Sequence, residues 1–110
     1  KLGYYDGLRM LYGLSGWKYY IDRHWTEMQA YMVLQGLIQK FSDESVSLRE
    51  MNEEMLPRLA RKLKVKEGDY YDLLLSFLEW HAEQAGIDPF SIRTEEEFML
   101  EVISGWKNQN

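Results

Sequence analysis

The stretch Leu59–Ala85, LARKLKVKEGDYYDLLLSFLEWHAEQA, limits what this chain can fold into more than any other. In its second half Tyr70, Leu74, Phe77, Leu78, His81 and Ala85 form one helical stripe, and Tyr71, Leu73, Leu75 and Trp80 widen it well past one face. A helix with so wide an apolar arc must be covered from several sides, so the remaining chain has to supply covering elements. Its end is also marked. Gly86 suits the left-handed position after a helix, and Asp88-Pro89 prevents continuation. The spacing therefore predicts a helix from Gly68 or Asp69 to Ala85.

A second helix with a wide arc is expected from Trp25 to Phe41, where Trp25, Met28, Tyr31, Met32, Leu34, Leu37, Ile38 and Phe41 recur at steps of three and four. Thr26 is a candidate N-cap, and an unbroken run from Trp17 is the alternative. Gly36 lowers helix propensity by about 1 kcal/mol relative to Ala, and close approach of a neighbour is the usual reason for such a glycine. After the polar linker Ser42-Asp43-Glu44-Ser45, the capping box Ser47-Leu48-Arg49-Glu50 should open another helix. Pro57 must break or kink it near Leu56 and then sit in the first turn of a short helix reaching about Lys64. Thr94-Glu95-Glu96-Glu97 is a further capping box, opening a helix that carries Phe98, Met99, Val102, Ile103 and Trp106 and ends near Gly105. Lys1–Asp22 has two readings. One is a short helix ending near Gly13 with a second opening at Ser15 or Gly16; the other is a pair of aromatic strands, RMLYG and GWKYYI. The helical reading is preferred because a lone hairpin is marginal in water.

These segments predict an all-α fold: a compact orthogonal bundle of five or six helices, a single domain over residues 1–110, with 25–41 and 69–85 as its central pair. A chain of 110 residues, 45% hydrophobic and 15% aromatic, has the apolar volume for one core and is not disordered. The absence of cysteine excludes disulfides, thiolate metal sites, iron–sulfur clusters and cysteine nucleophiles. The apolar run Ala30–Ile38 is far short of the roughly 20 residues of a membrane helix, so a soluble, cytoplasmic protein without a membrane partner is expected.

Ala60 stands at a small position between two apolar stretches, and Leu59, Leu63, Val65, Tyr70 and Leu73 fall on apolar positions around it. This pattern, over Leu59–Leu78, resembles the helix-turn-helix register, which implies nucleic-acid binding. It departs from the motif at the turn, where Lys64 stands in place of the usual glycine. It departs again in the helix that would enter the groove, which carries Asp69, Asp72, Glu79 and Glu83 and no Arg or Lys. Carboxylates repel phosphates, and base reading relies on Arg, Lys, Asn and Gln. The positive charge lies just before the turn, in Arg58, Arg61, Lys62, Lys64 and Lys66, with Arg58, Arg61 and Lys62 on a helical face opposite Leu59, Ala60 and Leu63. These five are the candidate partner-binding residues. They suit an acidic protein or phosphates, or they form a solvated face that offsets the acidic run Asp43–Glu54.

Nothing in the chain specifies a reaction, a metal or a cofactor. His24 and His81 lack a partner at helical spacing that would complete a metal pair, and Glu79 and Glu83 flank His81 at spacing two. Gly13-Leu14-Ser15-Gly16-Trp17 fails as a nucleophile elbow because Trp17 stands where glycine is required. Glu95, Glu96 and Glu97 suit the first turn of a helix rather than acid–base work. Trp17, Tyr19, Tyr20, Trp25, Tyr70, Tyr71, Trp80 and Trp106 exceed what a small helical core encloses, so some are expected on a homodimer or partner surface. The expected function is a small, acidic, non-catalytic protein-interaction module that self-associates or binds another protein. The alternative is a helix-turn-helix-like nucleic-acid module, which the net charge of −5 disfavours.

Overall fold

The computed structural model describes residues 2–42 and 46–109, with side chains in the terminal regions described from Gly7 and up to Lys107. Its helices are α1 (Leu2–Tyr12), α2 (Glu27–Phe41), α3 (Leu48–Glu50), α4 (Leu56–Leu63), α5 (Tyr70–Ala85) and α6 (Glu95–Gln109), with a π-helical turn over Met51–Met55 between α3 and α4. Two short strands, β1 (Tyr20–Asp22) and β2 (Ile92–Thr94), form the one sheet among the described residues. The fold is all-α in class. It divides into two compact units: one holds the chain up to His24 and from Leu75 onward, and the other is Trp25–Leu74.

Local chemistry sets most of the boundaries. Thr26 caps α2 through a complete capping box with Gln29, which settles the start of that helix. Thr94 and Glu97 do the same for α6: the Glu97 N–H donates to Thr94 Oγ1 at 3.2 Å and the Thr94 N–H to Glu97 Oε1 at 2.8 Å. Ser47 Oγ accepts from the Glu50 N–H at 3.1 Å at the start of α3. The residues Asp43, Glu44 and Ser45 of the expected linker lie outside the described residues, but its far end is fixed, because the Gln39 amide accepts from the Val46 N–H and donates to the Val46 carbonyl.

Pro57 stands in the first turn of a short helix, α4, that ends at Leu63 before Lys64, as expected, but the break expected near Leu56 is a change of helical geometry rather than an interruption. Leu56 bonds back to the Met51 carbonyl, five residues earlier, and the wider π turn carries the chain through Pro57 in continuous right-handed helical geometry. The second helix expected from Ser15 or Gly16 is absent. In its place Ser15 makes an antiparallel bridge with Ile21, and β1 pairs in parallel with β2 through Tyr20↔Ile92, Ile21↔Arg93 and Asp22↔Thr94. The run Tyr19-Tyr20-Ile21 suits a pleated environment, and all three residues are buried.

In the first unit the core gathers Tyr19, Ile21, Leu75, Leu78, Phe98 and Val102, with the Tyr19 and Phe98 rings 4.8 Å apart. In the second, Ala30, Leu34, Leu37, Met51, Leu56, Tyr71 and Leu74 are buried. Two glycines exchange the roles that the sequence suggests. A Cβ at Gly36 would meet nothing within 4 Å, so no neighbour approaches it closely. Gly105 does not end α6, which runs on to Gln109, and a Cβ there would stand 2.8 Å from Ala85 Cβ. The close approach is thus between α5 and α6. Accordingly, Gly105→Ala should destabilise the chain by about 1–3 kcal/mol through overpacking, while Gly36→Ala stabilises the fold by about 1 kcal/mol, both read from urea unfolding of the monomer.

Candidate interaction surfaces

The five basic residues lie where their spacing placed them: Arg58, Arg61, Lys62, Lys64 and Lys66 are all solvent-exposed on α4 and the turn after it, and Ala60 behind them is buried. The turn itself is a Schellman motif, with the Val65 N–H bonded to the Ala60 carbonyl at 2.9 Å and the Lys64 N–H to the Arg61 carbonyl at 3.3 Å. This motif needs a left-handed residue, and Lys64 takes that conformation at φ 59°. Lysine therefore occupies the backbone position where a helix-turn-helix glycine would stand. The cluster is not wholly unneutralised, since Arg61 Nη1 is 3.9 Å from Glu67.

Beside this turn lies a groove of about 420 Å³. Tyr31 of α2, Asn52 of the π turn, Pro57 and Ala60 of α4, and Glu67 and Tyr70 beyond the turn contribute to its lining, over Leu56 and Leu73. The Tyr31 and Tyr70 rings pack on each other with centroids 4.6 Å apart. The Tyr31 hydroxyl donates to Asn52 Oδ1, which leaves the Asn52 amide N–H groups for another acceptor. No single segment encodes this groove, and only Pro57 marks it locally.

A different surface runs along α2. Met28 and Met32 are 65% and 64% exposed, and with exposed Gly36 they recur at steps of four on the side opposite buried Ala30, Leu34 and Leu37. From Met28 through Gln39 the helix carries no charged residue, although this is its solvent face. The expected aromatic surface is mostly not aromatic. Tyr19, Tyr20 and Tyr71 are buried and Trp25, Tyr70 and Trp106 half-buried, whereas Trp17 is 75% exposed and Trp80 lies at the margin. Met10, Leu11 and Tyr12 at the end of α1 are exposed as well.

Two of the carboxylates that speak against nucleic acid, Glu79 and Glu83, have intramolecular uses. Glu79, only 4% exposed, accepts at one oxygen from three successive backbone N–H groups, those of Trp17, Lys18 and Tyr19, at 2.8, 2.7 and 2.9 Å. Gly16 makes that loop possible: its φ is 95°, and a Cβ there would stand 2.4 Å from the Tyr19 carbonyl oxygen. Glu83 pairs with Lys18 at 2.9 Å, and this contact raises the Lys18 pKa above its ordinary value. Burial, reinforced by the charge of Glu83, likewise raises that of Tyr19, whose hydroxyl donates to the Ile87 carbonyl.

Glu95 is fully buried at the start of α6 and accepts from the His24 N–H at 2.8 Å. The His24 ring, expected to lack a partner, lies 3.2 Å from Asp22, and both side chains are largely exposed. His81 sits edge-on to Phe77 and Trp80 at 4.6 and 4.9 Å. Neither histidine lines the groove, and among the described residues no group of three or more His, Asp or Glu side chains is placed to hold a metal. No helix among them is long and apolar enough to cross a membrane. Comparison with known proteins finds no matching family model, no matching curated protein and no matching solved structure.

Two substitutions test this reading of the loop and the turn. Glu79→Gln replaces a carboxylate that three amides require with a group able to offer them only its carbonyl oxygen, and should cost about 2–4 kcal/mol in urea unfolding. Lys64→Gly relieves the left-handed backbone and should raise stability by about 1 kcal/mol in the same measurement.

Proposed function

We propose that this chain is a non-catalytic helical interaction module that self-associates through the solvent face of α2. The observation that carries the reading is the uncharged surface of Met28, Met32 and Gly36. A chain of net charge −5 repels its own copies, and this helix face lets two copies meet without opposing like charges. Methionine side chains adapt to a partner surface, and the open space over Gly36 admits a close helix.

The magnitudes point to a weak contact. Covering each methionine gains about 1.5–3 kcal/mol at most, against an association cost of about 4–15 kcal/mol. A weak, reversible dimer is expected, with a dissociation constant between about 10 μM and 1 mM. Sedimentation equilibrium across that range is expected to show a reversible dimer, and Met32→Glu should abolish it while leaving the circular dichroism unchanged. A strict monomer at about 1 mM would sink the proposal.

Nucleic-acid binding is the second reading, favoured by the Lys64 turn, which gives α4 and α5 the connection that the motif needs. Asp69 and Asp72 stand at the start of α5, the end that would meet base edges. That end offers no cation, so the first reading is preferred.

A further inference from the structure

The groove beside the π turn is made by residues that the α2 contact does not use, and its chemistry is one-sided. Its lining mixes polar and apolar surface: Leu56, Ala60 and Leu73 lie buried beneath it, and half-buried Pro57, Tyr31 and Tyr70 stand around it where they can contact an apolar side chain. Its volume of about 420 Å³ suits one or two side chains of a bound segment. The polar groups offered to a ligand are mainly donors. Asn52 has its oxygen engaged by Tyr31 and its amide N–H groups left over. Arg61 reaches the groove lining through Glu67, and exposed Lys64 and Lys66 stand on the turn that leads into it. Glu67, the one carboxylate in the lining, already faces Arg61.

We infer that this groove binds an acidic segment of a partner protein, with a leucine or phenylalanine seated against Tyr31, Pro57 and Tyr70 and flanking carboxylates on Arg61, Lys64 and Lys66. Charge complementarity selects the acidic partner, and the arrangement selects protein over nucleic acid. A phosphate backbone carries a charge at every nucleotide and would run past Glu67 in the lining and Asp69, which stands in the chain between the lining residues Gly68 and Tyr70, whereas a peptide can space its carboxylates to avoid them. The Tyr31 and Tyr70 rings are packed on each other and leave no slot between them for a base.

The test uses a fluorescein-labelled peptide of alternating Glu and Leu with blocked ends, the same peptide with Lys for Glu, and a labelled DNA duplex, each titrated with the full chain at low salt. The Glu–Leu peptide is expected to bind, to shift the amide resonances of Asn52 and Gly68, and to lose affinity by about tenfold or more both in the Arg61→Glu/Lys66→Glu double variant and in Asn52→Trp. The latter fills the groove and leaves the rim charges in place, and circular dichroism confirms that each variant folds. Met32→Glu, outside the groove, should bind as the parent does, so failure of the dimer and failure of the groove are read separately. Equal binding of the Lys–Leu peptide, insensitivity to Asn52→Trp, or no binding of the Glu–Leu peptide up to about 1 mM would each overturn the inference. Tighter binding of the duplex, lost in the charge-reversal variant, would assign the surface to nucleic acid instead.

Discussion

One carboxylate holds the first unit together. Glu79 projects from α5 into the loop Gly16–Tyr19 and satisfies three consecutive amides that belong to no helix or strand. A buried charge without partners is costly, and so are three amides turned inward, one of them fully buried, without an acceptor. Joined, each removes the other's penalty, so the loop and the helix depend on one another. The strand that follows inherits this anchor: Tyr19 leaves the cage directly into β1, Tyr20 supports the Arg9 guanidinium 4.3 Å above its ring, and Ile21 bonds back to Ser15. From there β1 reaches β2, and the His24 amide closes onto Glu95 at the start of α6. Two buried glutamates on separate helices thus fix both ends of one short strand.

Those interactions explain which parts of the fold were legible in the sequence. Helices announce themselves locally: the Thr26–Gln29 and Thr94–Glu97 boxes and Gly86 are near-neighbour signals, and α2 ends at Phe41 as the spacing indicates. Non-local devices leave no such mark. A three-residue parallel strand is too short for an alternating pattern to show, and its partner is most of the chain away. In sequence Glu79 is one carboxylate among several on a would-be recognition helix, because its three donors are backbone groups, which every residue except proline carries. The π turn was invisible for a related reason, since Pro57 signals a problem in the helix but not which of several geometries resolves it.

The candidate site divides along the same line. The basic residues from Arg58 to Lys66 belong to one segment, and their common exposure follows from helical spacing alone. The groove next to them draws on α2, the π turn, α4 and α5 together, so its lining emerges only once these are packed. Likewise, the methionines of α2 fit an expected apolar arc, and sequence could not say that the buried side would be satisfied by Ala30, Leu34, Leu37 and Ile38 while Met28 and Met32 stayed outside. Gly36 read as a point of contact and proved to be open.

The π turn also links Pro57 to the groove. In an uninterrupted α-helix the proline ring would press on the carbonyl one turn back and bend the chain. Inserting the wider turn keeps the helix continuous and adds a residue to it, which alters the direction of every side chain that follows relative to those before. Asn52 lies within that turn and Ala60 one helical repeat beyond Pro57, and both face the same opening. A regular helix would place these positions differently and without the extra width at Asn52. The geometry that accommodates the proline is therefore also the geometry that leaves this recess, bounded by a small side chain at Ala60 and by two tyrosines held by each other.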